Sequence, residues 1–149
     1  MKSPLRPLTP DEAEIVAEAC AKIDPWKTLG YSADGLAGYL LREDAALNRF
    51  AIDTEDGALA GVVALRFPWL RGPFIEMLAI MPQMQGKGLG TQVVEWVASG
   101  SVGNLWATVA AFNQRARAFY ARQGFVEVGS MDELISPGQT ELLLRKRLD

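Results

Sequence analysis

Hydrophobic residues recur with helical spacing in the first third of the chain and predict two helices there. The first helix begins after Thr9, an N-cap residue followed by Pro10 and two acidic residues in the first turn. Its apolar face contains Ile15, Val16, Ala19, Cys20 and Ile23. Ser32 has the side chain to cap a second helix over about residues 33–42.

Apolar runs without helical spacing predict the strands. They lie at residues 49–53, 59–67, 74–80, 105–109, 125–129 and 140–146. Residues 4–8 predict a short first strand or an extended lead-in, because Pro4 and Pro7 interrupt it. Helices over 91–98 and from Asn113 to Gly124 complete the order β-α-α-β-β-β-α-β-α-β-β. We expect one α/β domain over residues 1–149.

Glycines dominate the connection between the predicted strand 74–80 and the helix that starts at Thr91. Gly86, Gly88 and Gly90 occupy alternate positions in residues 85–91, which we call the glycine turn. A turn that leads into a helix exposes N–H groups that no helical carbonyl satisfies, and the helix dipole adds partial positive charge. Glycine has no Cβ, so an anion can approach the backbone closely. The sequence therefore predicts a pyrophosphate-binding turn.

Two common phosphate-binding motifs do not fit the glycine turn. A Walker A loop needs Ser or Thr after its lysine, but Lys87 is followed by Gly88. The dinucleotide-binding fingerprint needs Gly-x-Gly-x-x-Gly with an acidic residue about twenty positions later. The spacing here is Gly-x-Gly-x-Gly, and residues 109–111 contain no acid. Both a P-loop and an NAD-binding fragment are therefore disfavoured.

Two motifs together resemble those of the GCN5-related N-acetyltransferases, the GNAT family. Gln85-x-x-Gly88-x-Gly90 is similar to the pyrophosphate-binding motif of that family. Residues 113–125 are similar to its later motif, Asn-x-x-Ala-x-x-Phe-Tyr-x-x-x-Gly-Phe, in type and spacing. The resemblance covers about residues 47–148. It implies the GNAT fold, in which flanking helices cover a mostly antiparallel sheet with one splayed parallel pair, and acetyl-CoA as co-substrate.

Composition and charge narrow the compartment and the partners. A net charge of −3 gives no electrostatic reason to bind nucleic acid or an anionic membrane. The single cysteine, Cys20, excludes an intramolecular disulfide, and no apolar run approaches the roughly twenty residues of a membrane helix. The N-terminus also lacks an apolar signal core. We expect a cytoplasmic protein that binds neither nucleic acid nor membrane. The chain has no histidine, so no metal is expected.

The resemblance assigns the cofactor site. Backbone N–H groups of residues 86–90 and the Thr91 hydroxyl would contact the pyrophosphate, and Lys87 either adds charge or is solvated. A backbone N–H in residues 78–80 would polarise the acetyl carbonyl. Asn113 either bonds the pantetheine arm or only caps its helix. The predicted cofactor-binding residues are Leu78, Ala79, Ile80, Gln85, Gly86, Lys87, Gly88, Leu89, Gly90, Thr91, Asn113, Ala116, Phe119 and Tyr120.

Two residues are candidates for acid–base catalysis. Tyr120 matches the tyrosine that many GNAT enzymes use as general acid on the CoA sulfur; the alternative is that Ala116, Phe119 and Tyr120 are a helical core face. Glu76 lies on the central strand, where several GNAT enzymes place a base that acts through water. Strict alternation would put Glu76 on the side of Leu78 and Ile80. The alternative for Glu76 is a surface or ion-paired carboxylate. Asp53 and Glu127 are poorer candidates.

Three aromatic residues are candidates for acceptor binding. Trp26 and Tyr31 lie in the connector between the first two helices, which commonly lines the acceptor site in this family, and Trp69 lies in the apolar loop 68–73. The alternative is that Trp26 and Tyr31 only pack the connector onto the core. The apolar loop argues against a highly cationic acceptor such as an aminoglycoside.

The resemblance implies an acetyl-CoA-dependent N-acetyltransferase that acts on a primary amine by direct attack in a ternary complex. The acceptor would be a small amine, an amino-acid derivative or a protein N-terminus. Cys20 is expected to be a buried hydrophobe and not a covalent acyl carrier. A non-catalytic acyl-CoA-binding or sensing domain stays open as the alternative. The family resemblance also allows a homodimer.

Overall fold

The computed structural model describes residues 5–149, whose strands and helices follow the predicted order. The strands are β1 (Leu5–Pro7), β2 (Leu47–Asp53), β3 (Leu59–Trp69), β4 (Gly72–Ile80), β5 (Gly103–Ala110), β6 (Val126–Asp132) and β7 (Thr140–Leu148). The helices are α1 (Pro10–Cys20), α2 (Trp26–Leu29), α3 (Ala33–Leu41), α4 (Leu89–Ser99) and α5 (Gln114–Arg122). The short α2 and a single 3-10 turn over Pro82–Met84 were not predicted. Pro4, in the predicted lead-in, lies outside the described residues.

The seven strands form one mixed sheet in the order β1-β2-β3-β4-β5-β7-β6. Five of the neighbouring pairs are antiparallel, and only β4 and β5 run parallel. The expectation of a mostly antiparallel sheet with one parallel pair is therefore confirmed. A crossover through α4 joins β4 to β5, as a parallel connection requires.

Helices cover both faces of the sheet, because successive residues of β3 point to opposite sides. Val62 belongs to the core cluster under α1 and α3, whereas Val63 belongs to the cluster under α4 and α5. The two helical layers therefore bury the sheet from both sides.

Among the described residues, no helix is long and apolar enough to cross a bilayer.

Helix α1 begins as predicted but is rotated about its axis relative to the prediction. Thr9 forms a capping box with Glu12. The buried face contains Ala13, Val16, Ala17 and Cys20. The prediction that Ile15 belongs to this face is wrong, since its side chain is 53% exposed. Small side chains let α1 pack closely against α3 and the sheet, a preference that hydrophobicity alone does not reveal.

Strand β4 carries an extra residue at Glu76. Ala64 of β3 is opposite Met77, but the next residue, Leu65, is opposite Ile75, so Glu76 is left over as a bulge. The alternation therefore changes phase at this point. Leu78 and Ile80 pack on the side of α4 and α5. The expectation that Glu76 shares their side is wrong, because Glu76 and Met77 both face the opposite side.

The loop predicted at residues 68–73 is a two-residue turn between long strands. Only Leu70 and Arg71 lie outside β3 and β4, and their φ angles are 41° and 65°. Such left-handed conformations are uncommon for residues other than glycine. Side chains of β5 hold the turn: the Trp106 indole N–H donates to the Leu70 carbonyl at 3.0 Å, and Asn104 Nδ2 donates to the Arg71 carbonyl at 3.1 Å.

We expect Gly61→Ala to destabilise the protein by about 3 kcal/mol or more, because overpacking forces the backbone apart. A Cβ at this position of β3 would lie 1.9 Å from the carbonyl oxygen of Ala79 in β4. The matched control is Gly38→Ala in α3, where a Cβ has open space. That variant should be stabilised by about 0.5–1 kcal/mol. Urea unfolding of both variants measures the difference, and equal midpoints would contradict the β3–β4 packing.

Candidate active site

The two parallel strands at the centre of the sheet separate after a short contact. β4 and β5 pair only at Phe74 with Trp106 and at Ile75 with Ala107. Beyond this point, β4 stays paired with β3 as far as Ile80, and β5 stays paired with β7 as far as Ala110. The separation begins next to the bulge at Glu76. We call the space between the two strand ends the β4–β5 gap.

Two backbone N–H groups of β4 point into the β4–β5 gap. The Met81 N–H donates to the Ala60 carbonyl of β3 at 2.8 Å. Because N–H directions alternate along a strand, Ala79 also faces β3, whereas Leu78 and Ile80 face the gap. A donor aimed into the gap is the kind of group that stabilises negative charge on a carbonyl oxygen.

The glycine turn presents a row of free donors at the end of the β4–β5 gap. Gly86 and Gly88 both have φ of +79°, a left-handed conformation that glycine adopts without strain. Among the described residues, no acceptor takes a hydrogen bond from the N–H groups of residues 86–91. Gly88 is the N-cap of α4 and supplies no side-chain cap. Consecutive unpaired N–H groups at a helix N-terminus fit a pyrophosphate.

Other residues of the motif hold the glycine turn in place. Gln85 Nε2 donates to the Ile80 carbonyl at 2.9 Å and ties the turn to β4. Gly90 lets α4 approach α5, because a Cβ there would lie 3.2 Å from the Phe119 ring. The Thr91 hydroxyl accepts a hydrogen bond from Gln123 Nε2 at 2.9 Å, which leaves its own hydrogen free to donate. Lys87 is exposed.

Helix α5 packs beside the N-terminal end of α4, where Phe119 lies next to Gly90. Asn113 caps this helix, since its Oδ1 accepts from the Ala116 N–H at 3.1 Å. The core face of Ala116, Phe119 and Tyr120 is confirmed, because all three belong to the cluster under α4 and α5. The Tyr120 ring meets Phe119 and Phe125 edge to face, each at 5.1 Å. Burial raises the pKa of the Tyr120 phenol, so it is protonated at neutral pH.

On the face of the sheet that carries α1 and α3 lies a cavity of about 630 Å³. It brings together four residues that the sequence singled out, Trp26, Tyr31, Trp69 and Glu76. We call it the aromatic cavity. The rest of its lining is mainly apolar: Leu36, Tyr39, Arg66, Leu70, Phe74, Met77, Thr108, Met131, Leu134, Ile135 and Leu143. Trp69 is fixed in the wall by stacking on Phe74 at 4.6 Å.

Glu76 reaches the aromatic cavity as an ion-paired carboxylate. Arg66 Nε donates to Glu76 Oε2 at 2.5 Å, and a second nitrogen of Arg66 donates to Oε1 at 3.2 Å. The same guanidinium forms a 3.1 Å ion pair with Asp44. Both oxygens of Glu76 are therefore engaged. The Tyr39 hydroxyl is buried beside this group, and burial, followed by the neighbouring Glu76 carboxylate, raises the pKa of its phenol.

A second carboxylate near the aromatic cavity, Glu141 of β7, was not predicted. Its side chain is 5% exposed, and its Oε2 has no hydrogen-bond partner among the described residues. Burial raises the pKa of this carboxyl to about 7. The sequence offered one signal for it, the alternation that puts Glu141 on the same face of the strand as Leu143. An isolated glutamate near a strand end is ordinarily exposed, so the pattern gave no reason to choose it.

The raised pKa of Glu141 predicts a pH dependence of stability. A carboxyl with an ordinary pKa of 4.5 in the unfolded chain and about 7 in the folded chain binds its proton more tightly when folded. The stability that this tighter proton binding adds is fully present below pH 4.5 and is lost as the pH rises through 7. We expect this loss to reach up to about 3 kcal/mol. Urea unfolding from pH 4.5 to 8 should show the slope in the wild type and not in Glu141→Gln; identical slopes would contradict the burial of this group.

The comparisons with known proteins agree on one family. The model of the acetyltransferase (GNAT) family matches residues 11–125, which is most of the chain. A comparison with curated proteins finds no match. Among solved structures, nourseothricin acetyltransferase is 26% identical over 73% of this chain and 69% of its own, with a TM-score of 0.63. An acetyltransferase from Thermus thermophilus is 26% identical over 93% and 94%, with a TM-score of 0.70.

A further solved structure shows the shared fold alone. Spermidine N-acetyltransferase from Vibrio cholerae, in complex with CoA and spermine, is 21% identical over 95% of this chain and 92% of its own, with a TM-score of 0.68. The family match, the mixed sheet with its separated parallel pair and the open N–H groups of the glycine turn lead to the same conclusion. The chain belongs to the GNAT family of acetyltransferases.

Proposed function

We propose that this protein transfers the acetyl group of acetyl-CoA to a primary amine by direct attack in a ternary complex. One observation carries the proposal. The β4–β5 gap has the donors of the glycine turn at its end and the aromatic cavity beside it on the sheet, since Phe74 and Thr108 both line that cavity. An acyl group in the gap and an amine in the cavity would therefore meet near the ends of two strands.

The glycine turn and α5 would hold the CoA moiety. The N–H groups of residues 86–91 bind the pyrophosphate, and the thioester arm extends along the β4–β5 gap past Ala116 and Phe119. The N–H of Leu78 or Ile80 then donates to the acetyl oxygen and stabilises the negative charge that develops during attack. Acetyl-CoA supplies an activated carbonyl carbon and a thiolate leaving group.

Tyr120 would donate a proton to the departing CoA thiolate. Its phenol stays protonated at neutral pH because burial raises its pKa. Direct attack by the amine is favoured over a covalent acyl-enzyme, because Cys20, the last residue of α1, is fully buried and burial raises the pKa of its thiol to about 12. A thiol in that state is a poor nucleophile.

The aromatic cavity favours an acceptor that carries its amine on an apolar or aromatic body. Its lining is dominated by aromatic and aliphatic side chains. Among the described residues, the charged residues that line it are Arg66 and Glu76, which form an ion pair with each other. The lining therefore carries no net charge, which suits an acceptor with one ammonium group better than a polycation.

We expect Tyr120→Phe to lower kcat at least about 100-fold with the best acceptor, because the thiolate loses its proton donor. The affinity for acetyl-CoA, measured by calorimetry, should stay within about twofold. The assay is release of CoA thiol from acetyl-CoA with a panel of small amines, amino-acid derivatives and N-terminal peptides. Spermidine and nourseothricin join the panel because two of the similar solved structures are a spermidine N-acetyltransferase and a nourseothricin acetyltransferase.

The same assay separates the enzyme from a binding protein. Tight binding of acetyl-CoA without faster thiol release for any acceptor would favour a non-catalytic acyl-CoA sensor. Turnover that survives Tyr120→Phe unchanged would remove the tyrosine from the reaction and leave the enzyme in place.

We expect Tyr31→Ala to raise KM for the acceptor about tenfold, because it removes an aromatic wall of the aromatic cavity. The Kd of acetyl-CoA should not change. Trp96→Ala is the matched control, since Trp96 is 40% exposed against 39% for Tyr31 and lies on α4, away from this cavity. Steady-state kinetics with both substrates varied distinguishes the two variants. An equal rise of KM in both would mean that the effect is not local.

A further inference from the structure

Glu141 is a buried carboxylate that the proposed function leaves unused. Its side chain is 95% buried, and Oε2 has no hydrogen-bond partner among the described residues. Buried polar atoms in folded proteins almost always have a partner, because the loss of hydration is otherwise uncompensated. A ligand that donated a hydrogen bond to Glu141 Oε2 would therefore be bound more tightly.

The strand pairing places Glu141 beside the lining of the aromatic cavity. It lies opposite Met131 of β6, and Leu143 is two residues further along the same face of β7. Met131 and Leu143 both line the cavity. Tyr31, a third lining residue, is close enough that the charge of Glu141 raises the pKa of its phenol. Glu141 thus lies next to three residues of the cavity lining.

The other carboxylate of the aromatic cavity is less suited to accept a proton. Arg66 donates to both oxygens of Glu76, so an incoming ammonium group would have to displace a bidentate guanidinium. Glu141 has no such partner. Burial also brings the pKa of its carboxyl to about 7, where a group can take up and release a proton at neutral pH.

We propose that Glu141 is the general base that removes a proton from the acceptor ammonium group, either directly or through one water molecule. This inference rests on the proposed function. One ammonium proton passes to Glu141, and the free amine attacks the acetyl carbon. The new C–N bond forms as the C–S bond breaks. Tyr120 gives its proton to the departing thiolate. The nitrogen then loses a second proton, which returns to Tyr120, and Glu141 releases its own proton to solvent.

The residues that surround Glu141 do not change their protonation near neutral pH, so a change in this range is assigned to Glu141. Ala110 of β5 and Met131 of β6, which lie opposite, do not titrate. The Tyr31 phenol keeps its proton at neutral pH because burial and the charges of Glu141 and Glu76 raise its pKa. Arg145 lies about 13 Å away along the strand. Its guanidinium is held by Asn104 at 2.7 Å and by the Trp106 ring.

The test is the pH profile of kcat/KM for wild type and Glu141→Gln, with the acceptor that the panel identifies. In the wild type, we expect activity to fall below about pH 7 as Glu141 gains its proton. Glu141→Gln should lose about 100-fold in kcat and the acidic limb of the profile, with the affinity for acetyl-CoA unchanged. Glu141→Asp should restore part of the rate. Glu95→Gln, at an exposed position of α4, is the control that should behave like wild type.

The outcomes separate this inference from the proposed function. A wild type that acetylates no amine contradicts the proposed function itself. An active wild type whose Glu141→Gln variant keeps more than half of kcat and the same acidic limb overturns only the role of Glu141. If Glu141→Gln does not fold, the wild-type profile decides: activity that is flat between pH 6 and 8 overturns the proposal. Loss of rate in Glu76→Gln, and not in Glu141→Gln, would assign the base to Glu76.

Discussion

The early end of the β4–β5 pairing is the constraint on which the candidate site depends. Only two residue pairs join the parallel strands, and the bulge at Glu76 follows immediately after Ile75, the last paired residue of β4. An extra residue bends its strand and changes which face the following side chains take. The bend therefore opens the β4–β5 gap, turns the N–H groups of Leu78 and Ile80 into it and presents Glu76 to the aromatic cavity.

The glycine turn is an open anion site because side chains support it from outside. Gln85 binds the end of β4, Gly90 allows contact with Phe119, and Thr91 accepts a hydrogen bond from Gln123, the residue that follows α5. These contacts orient the turn without using its N–H groups. The motif residues thus divide into those that leave donors free and those that hold the donors in position.

Two carboxylates near the aromatic cavity have opposite environments. Glu76 is bound on both oxygens by Arg66, which also holds Asp44, and this network fixes one wall. Glu141 is buried among apolar neighbours, and its pKa is raised to about 7. Pairs of carboxyl groups whose environments differ in this way commonly divide structural and proton-transfer roles. The same chemical group therefore takes its properties from its contacts.

Local patterns in the sequence determined the order of the elements, the glycine turn and the α5 motif, because turn residues, caps and hydrophobic period act over a few neighbours. Tertiary structure decided what depends on distant partners. The bulge at Glu76 comes from the register between β3 and β4, so alternation alone assigned its side wrongly. The exposure of Ile15 follows from how α1 packs. The burial of Glu141 follows from elements distant in sequence, and no local pattern records it.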